Sequence, residues 1–196
     1  MIVIGASGHA KVVIEIAEAM GKSIDMVYDK DESKVKLFQY SITHNSNFDM
    51  DVPFVIAIGN NATRRQYANL LNLKVSAALI HPTAIISPSA VIGNGSVVMA
   101  GAVINADAQI GQHVIINSGA VVEHDCVVGD FSHISPNVAL AGGVIVGVET
   151  QIGIGASVIQ GISIGSNVVV GAGAVVIRPI DDHDKVAGVP AKTIKK

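Results

Sequence analysis

The chain has 196 residues, 49% of them hydrophobic, 15% charged and 4% aromatic, with no tryptophan. This length is ample for a core, in one medium domain or two small ones, and the mean hydropathy of +0.50 is high for a soluble chain. Charge is unevenly spread. Residues 1–80 hold eight Lys/Arg and eight Asp/Glu, 81–178 hold one Arg and five acids, and 179–196 hold four Lys and three Asp. No basic patch of the kind nucleic acid needs is present, which speaks against that class of partner.

In chain order, Ile2–Ile4 reads as a short aliphatic strand running into GASGH. An amphipathic helix follows from about Ala10 to Met20 and ends at Gly21, and a second strand ends near Tyr28–Asp29. Residues 30–51 are polar, a loop with a short strand around Gln39–Thr43. Phe54–Ile58 is a third strand, GNNATRRQYANLLNL turns into a second helix, and Lys74–Ile80 is a further strand. Alternating strands and helices indicate a Rossmann-like α/β unit over residues 1–80. GASGH, Asp29 and GNN all fall at the carboxyl edge of its parallel sheet.

Thr83–Ala106 and Thr150–Ile177 contain no Asp, Glu, Lys or Arg, and each exceeds the roughly 20 residues that span a bilayer. The order of their apolar residues excludes a membrane helix. From His81 the chain divides into sixteen hexapeptides whose sixth positions, Ile86 to Val176, are all aliphatic. Their fourth positions are small or β-branched, Ile162 being the largest, and most Gly, Asn, Pro and Asp fall in positions one to three. At about 100° per residue a period of six leaves no single apolar face on a helix, whereas a short strand and a turn fit it. Hexapeptides of this kind mark parallel β-helices, and sixteen make about five coils at about 18 residues each. The expected architecture is the α/β unit, an all-β parallel β-helix over 81–178, and a tail over 179–196.

The chain opens directly on a strand, with no cationic leader or cleavage site, and Cys126 is the only cysteine, so a cytoplasmic setting is expected. Cys126 occupies a small fourth position and reads as a packing residue. The seven histidines show neither H-x-x-x-H nor any Cys pairing, so no metal site is expected, and no G-x-S-x-G elbow is present. GASGH resembles half of a dinucleotide fingerprint, and is either a tight turn or a phosphate cradle at a helix N-terminus. Asp29 is either a ribose or base acceptor or a solvated loop acid. Glu123-His124-Asp125 occurs where charge is otherwise almost absent. It is either a solvated turn or a general base, with a carboxylate fixing the tautomer of the imidazole.

The stretches GASGHAKVV, FVIAIGNNATRR, LIHPTAIISPSA, VIINSGAVVEHDCVVGDFSHISPNVALAGGV and AGVPAK cover both units. Through them the chain resembles the left-handed β-helix nucleotide-sugar acetyltransferases, in particular the UDP-4-amino-sugar N-acetyltransferases of the bacillosamine pathway. Sialic acid O-acetyltransferases and GDP-perosamine N-acetyltransferases are relatives. The resemblance implies a left-handed prism, acetyl-CoA as cosubstrate, no metal, and a homotrimer with its clefts between subunits. It implies His124 as general base, Asp125 orienting it where the family pattern has Glu, and Glu123 and Asn117 lining the sugar. His133 and the Gly142 N–H are implied at the thioester, with Ile154, Gly171, Ala172 and Lys192 along the CoA arm. Gly8, His9, Asp29, Gly59 and Asn60 are implied on the nucleotide side, with Arg64 near the diphosphate. A non-catalytic trimeric scaffold is the reading from another class, and the acid-His-acid set speaks against it.

Overall fold

The computed structural model describes residues 1–71 and 74–194. In the α/β unit, β1 (Ile2–Ile4) is the central strand, flanked by β2 (Met26–Tyr28) and β5 (Phe54–Ile56), all parallel. The polar segment after β2 forms a hairpin, β3 (Lys36–Leu37) and β4 (Tyr40–Thr43), and β4 adds to β2 in parallel. The sheet order is therefore β3-β4-β2-β1-β5, with the chain reversing its direction of travel at β1/β5. Ligands bind such sheets at the crevice opened by that switch, beyond the strand carboxyl ends. α1 (Gly8–Ala19) begins directly after the first turn, and α2 (Asn61–Leu70) follows β5. Of the expected end of α2, Asn72 and Leu73 lie outside the described residues, as do Lys195 and Lys196 of the tail. The strand expected over Lys74–Ile80 is shorter: a bridge pairs Val75 with Phe54, and only β6 (Leu79–Ile80) is a strand.

β6 already belongs to the second unit, a parallel β-helix of two-residue strands. Pairing on one face runs Ile86, Ile104, Val122, Leu140, Val158, Val176, a step of 18 residues per coil. The three faces hold six, five and eight strands. The eight-stranded face includes β6 before the hexapeptides and two tail strands, Lys185–Ala187 and Lys192–Thr193, after them, so the stack is slightly taller than the expected five coils. From Val98 to Val176 no sixth position is more than 3% exposed, which identifies the aliphatic ladder as the core. Cys126 is buried in the same core, its Sγ 3.2 Å from the Ala141 carbonyl.

Every third position from Gly95 to Gly173 has positive φ. Glycine, Asn and Asp tolerate this left-handed conformation, while bulky side chains rarely adopt it. His113, Phe131 and Glu149, with φ of 52°, 59° and 57°, are the bulky exceptions, and they stack in successive coils at one corner. That corner receives the α/β unit. The His113 and Phe131 rings are stacked 5.1 Å apart, and α2 bonds to carbonyls of all three residues. The adjoining face is covered as well, Val97 and Ile115 being buried in one cluster with α1.

Candidate active site

His124 stands at a second corner. Its side chain is 62% exposed, and Nδ1 donates to the Asp125 carboxylate at 2.7 Å. Asp125 reaches its neighbour because its own backbone is left-handed, with φ of 60°. The bond leaves the Nε2 lone pair free and holds the histidine pKa above its ordinary value, with the half-buried Glu123 adding to the effect. One coil on, Gly142 lies directly against the ring: a Cβ built there would be 2.6 Å from Cε1 and Nε2. No acceptor for the Gly142 N–H lies among the described residues. An imidazole, the carboxylate bonded to it and a free backbone donor thus converge on one patch of surface.

The α/β unit opens a cavity of about 190 Å³ at its switch point. Gly5, Ser7 and His9 line it from the first turn, Tyr28, Asp29, Lys30 and Lys34 from the end of β2, Ala57–Gly59 from the end of β5, and Thr63 and Tyr67 from α2. Gly5 is required here: its φ is 105°, and a Cβ would stand 2.9 Å from the Ile58 side chain. Ser7 does not cap α1; its hydroxyl instead accepts from Lys34 Nζ at 2.9 Å, and the first-turn N–H groups of α1 stay open near Gly8. An uncapped helix start of this kind favours an anion. Asp29 is fully engaged: Oδ2 takes the Ala6 N–H and Lys34 Nζ at 2.8 and 2.7 Å, and Oδ1 takes the Asp31 N–H at 3.0 Å. Burial opposes its ionisation, but these donors outweigh burial and hold the carboxyl below the usual range. Asn60 caps α2 through the Thr63 N–H at 2.9 Å. Lys34, the cation of this cavity held in place by hydrogen bonds, carries no sequence signal, being one polar residue in an irregular segment.

Arg64 does not face the cavity, which corrects its expected place near a diphosphate. It is 1% exposed, and its guanidinium donates to backbone carbonyls of the β5–α2 turn and the prism and to the Asn61 side chain. No donor remains for a phosphate. An arginine in the first turn of the helix that follows IAIGNN looks the same in sequence whether it points out or in. Around Arg64 stand three histidines. Burial pushes His9, His113 and His133 down to about 4, with the Arg64 charge adding in each case. His9 Nε2 and His113 Nδ1 are buried with no hydrogen-bond partner. His133 Nε2 meets the Asn117 side-chain amide at 3.0 Å. His133 and Asn117 therefore lie together beside the α/β junction, away from His124 and Gly142 of the same chain.

The histidines carry a stability prediction. Their folded pKa values lie below the unfolded value near 6.5, so from about pH 6.5 down to 4 the unfolded chain binds protons that the native chain refuses. Stability is therefore full above pH 6.5 and falls as pH drops, by up to about 1.4 kcal/mol per pH unit for each histidine. Urea titrations between pH 7 and 4.5 should show this fall with uptake of two to three protons; a flat profile between 6.5 and 5 contradicts it.

A third corner carries Ile154 and Ala172 in successive coils, both exposed, with the Gly173 N–H bonded to the Ile154 carbonyl at 2.8 Å. Gly171 packs against Ala187, which pairs in register with Lys192. These four residues thus follow one prism edge to the tail, and His124 and Gly142 stand on another.

Residues 1–71 match the PglD N-terminal domain, and residues 107–142 match the bacterial transferase hexapeptide (six repeats). The UDP-N-acetylbacillosamine N-acetyltransferase of Bacillus subtilis (strain 168) is 44% identical over 111 residues, a match spanning 50% of each chain. PerB from Caulobacter crescentus, solved with CoA and GDP-perosamine, is 39% identical with a TM-score of 0.93, over 99% of this chain and 96% of that one. The chain belongs to the hexapeptide-repeat sugar N-acetyltransferase family. The acetyltransferase domain of PglB from Neisseria gonorrhoeae FA1090, solved with acetyl coenzyme A, is 40% identical with a TM-score of 0.93, over 98% of both chains. Superposition preserves hand, so the prism of this family member winds as theirs do.

Proposed function

We propose that the protein transfers the acetyl group of acetyl-CoA to the 4-amino group of a UDP-linked amino-deoxysugar, by direct transfer in a ternary complex. The observation that carries this reading is the His124–Asp125 pair packed on Gly142, with Nε2 and one backbone N–H free. The acceptor amine must be neutral to attack the thioester, and His124 Nε2 takes the proton it sheds. As the nitrogen bonds to the acyl carbon, the carbonyl oxygen gains charge that the Gly142 N–H stabilises. The C–S bond then breaks, and the imidazolium returns the proton to the departing sulfur. The α/β cavity holds the nucleotide, with Gly8, His9, Asp29, Gly59 and Asn60 on its side of the molecule. The edge of Ile154, Gly171, Ala172 and Lys192 holds the CoA arm.

That edge and His124 occupy different corners of one prism, so a cleft between neighbouring copies in a homotrimer completes each site, with His133 and Asn117 reaching it from their own face. Val91, Val127 and Ile145 point outward from a single face, an apolar surface suited to such packing. A cytoplasmic location matches both substrates. A GDP-linked amino sugar of the perosamine type is the second reading, favoured by the full-length likeness to PerB. Acetyl-CoA turnover followed by thiol release, across UDP-4-amino-deoxysugars, GDP-perosamine and free sialic acid, separates the cases. Turnover with the UDP-linked sugars is expected, and turnover with sialic acid alone overturns the reading.

A further inference from the structure

The Arg64 fork spans the two units. Nε donates to His113 O at 2.8 Å, one terminal nitrogen to Ile58 O and Gly59 O at 3.0 and 3.1 Å. The other donates to Asn61 Oδ1, Phe131 O and Ser132 O at 2.9, 2.6 and 3.3 Å. Five N–H groups thus serve six acceptors, and none of these is a carboxylate. The nearby acid, Glu149, is paired with Arg65 at 2.8 Å. The guanidinium is therefore bonded only by carbonyl oxygens, and Glu149 acts on its charge without a direct bond while also serving Arg65; one carboxylate against two arginines leaves a net positive potential behind the cavity wall. Two of the gripped carbonyls, Ile58 and Gly59, belong to cavity-lining residues, and two more, Phe131 and Ser132, immediately precede His133.

The orientation of His133 follows from the same junction. Asn117 Oδ1 accepts the Ser118 N–H at 2.8 Å, so the amide nitrogen faces His133 and donates to Nε2. Nε2 is then the acceptor and Nδ1 carries the hydrogen, toward the Gly59 carbonyl that Arg64 also holds. We propose that Arg64 is a positioning residue for a nucleoside diphosphate acceptor: it fixes the cavity wall at Ile58–Gly59 against His133 and supplies positive potential without touching the ligand. This rests on the reading that the cavity holds the nucleotide. The charged and titratable groups that act on these rings are Arg64, on both His9 and His133, and His133 itself, on His9. Burial is the main cause that holds both rings neutral; His133 and then Arg64 add to it at His9, and Arg64 adds to it at His133.

The test compares the wild type with Arg64→Met and Arg64→Lys, titrated calorimetrically with UDP, GDP and acetyl-CoA. Arg64→Met is expected to weaken the binding of the preferred nucleotide at least about tenfold, with acetyl-CoA affinity changed less than about twofold. Arg64→Lys, which keeps the charge and loses the fork, is expected to recover part of that loss. A purely structural arginine would lower the melting temperature while leaving the nucleotide affinity of the folded fraction unchanged, and that result overturns the proposal. Should Arg64→Met fail to fold, the Lys variant and imidazole titration of the wild type by NMR still decide. His9 and His133 protonating near pH 6.5 would overturn it, and protonation only below pH 5 supports it. A wild type that binds neither nucleotide overturns both readings; equal binding by wild type and folded variants overturns only this one.

Discussion

Replacing His124 by alanine is expected to lower kcat/KM by at least about 10²-fold, with the oligomeric state and melting temperature of the wild type retained. The stability half of that expectation comes from exposure: the ring is 62% exposed, and the one backbone bond at its carbonyl, from the Gly143 N–H at 2.9 Å, does not involve the side chain. The activity half comes from the free Nε2 of an exposed imidazole whose Nδ1 is already bonded to Asp125. Asp125→Asn tests the same assignment through pH. The carboxylate bond raises the His124 pKa, so the base form is populated only above that raised value. Removing the carboxylate charge moves the acid limb of kcat/KM to lower pH, and the loss of the tautomer lock lowers the plateau by about tenfold or more. Near-normal turnover by His124→Ala, or an unmoved limb in Asp125→Asn, would remove this pair from the chemistry.

The prism was legible in the sequence because its core repeats. One aliphatic residue per six, in one unbroken phase, admits a stacked solenoid and little else, and the ladder from Val98 to Val176 is buried as the spacing requires. The α/β unit was legible from its strand–turn–helix rhythm, though the hairpin Lys36–Thr43 was half seen, because only Gln39–Thr43 has strand character by itself. The acid-His-acid corner stood out against a charge-poor background. What did not show was the seam between the units. The resemblance put Arg64 near the diphosphate, whereas its side-chain direction depends on packing that a linear string does not encode. A signal for the seam was present nevertheless: His113, Phe131 and Glu149 fill third positions that elsewhere take mostly Gly, Asn or Asp. Bulky residues held at positive φ in three successive coils indicate a corner packed against something else.

Gly142→Ala is expected to lower kcat/KM by about 10–10²-fold while leaving the fold nearly unchanged, since about an ångström of misplacement suffices for such a loss. The backbone at Gly142 lies outside the positive-φ set, so alanine is compatible with it, and the obstacle is the His124 ring alone, 2.6 Å from the added Cβ. That contact cannot exist, so the ring must swing into solvent, breaking its alignment with Asp125 and with the Gly142 N–H. Gly143→Ala provides the opposite case one residue away. Its φ is 68°, and a Cβ there would meet nothing within 4 Å. The cost is therefore backbone strain of about 1 kcal/mol, with the ring left in place. Position 142 should thus show up in turnover and position 143 in melting temperature. If Gly142→Ala turns over normally, the seat of the imidazole is not this glycine, and the N–H at position 142 loses its place beside the base.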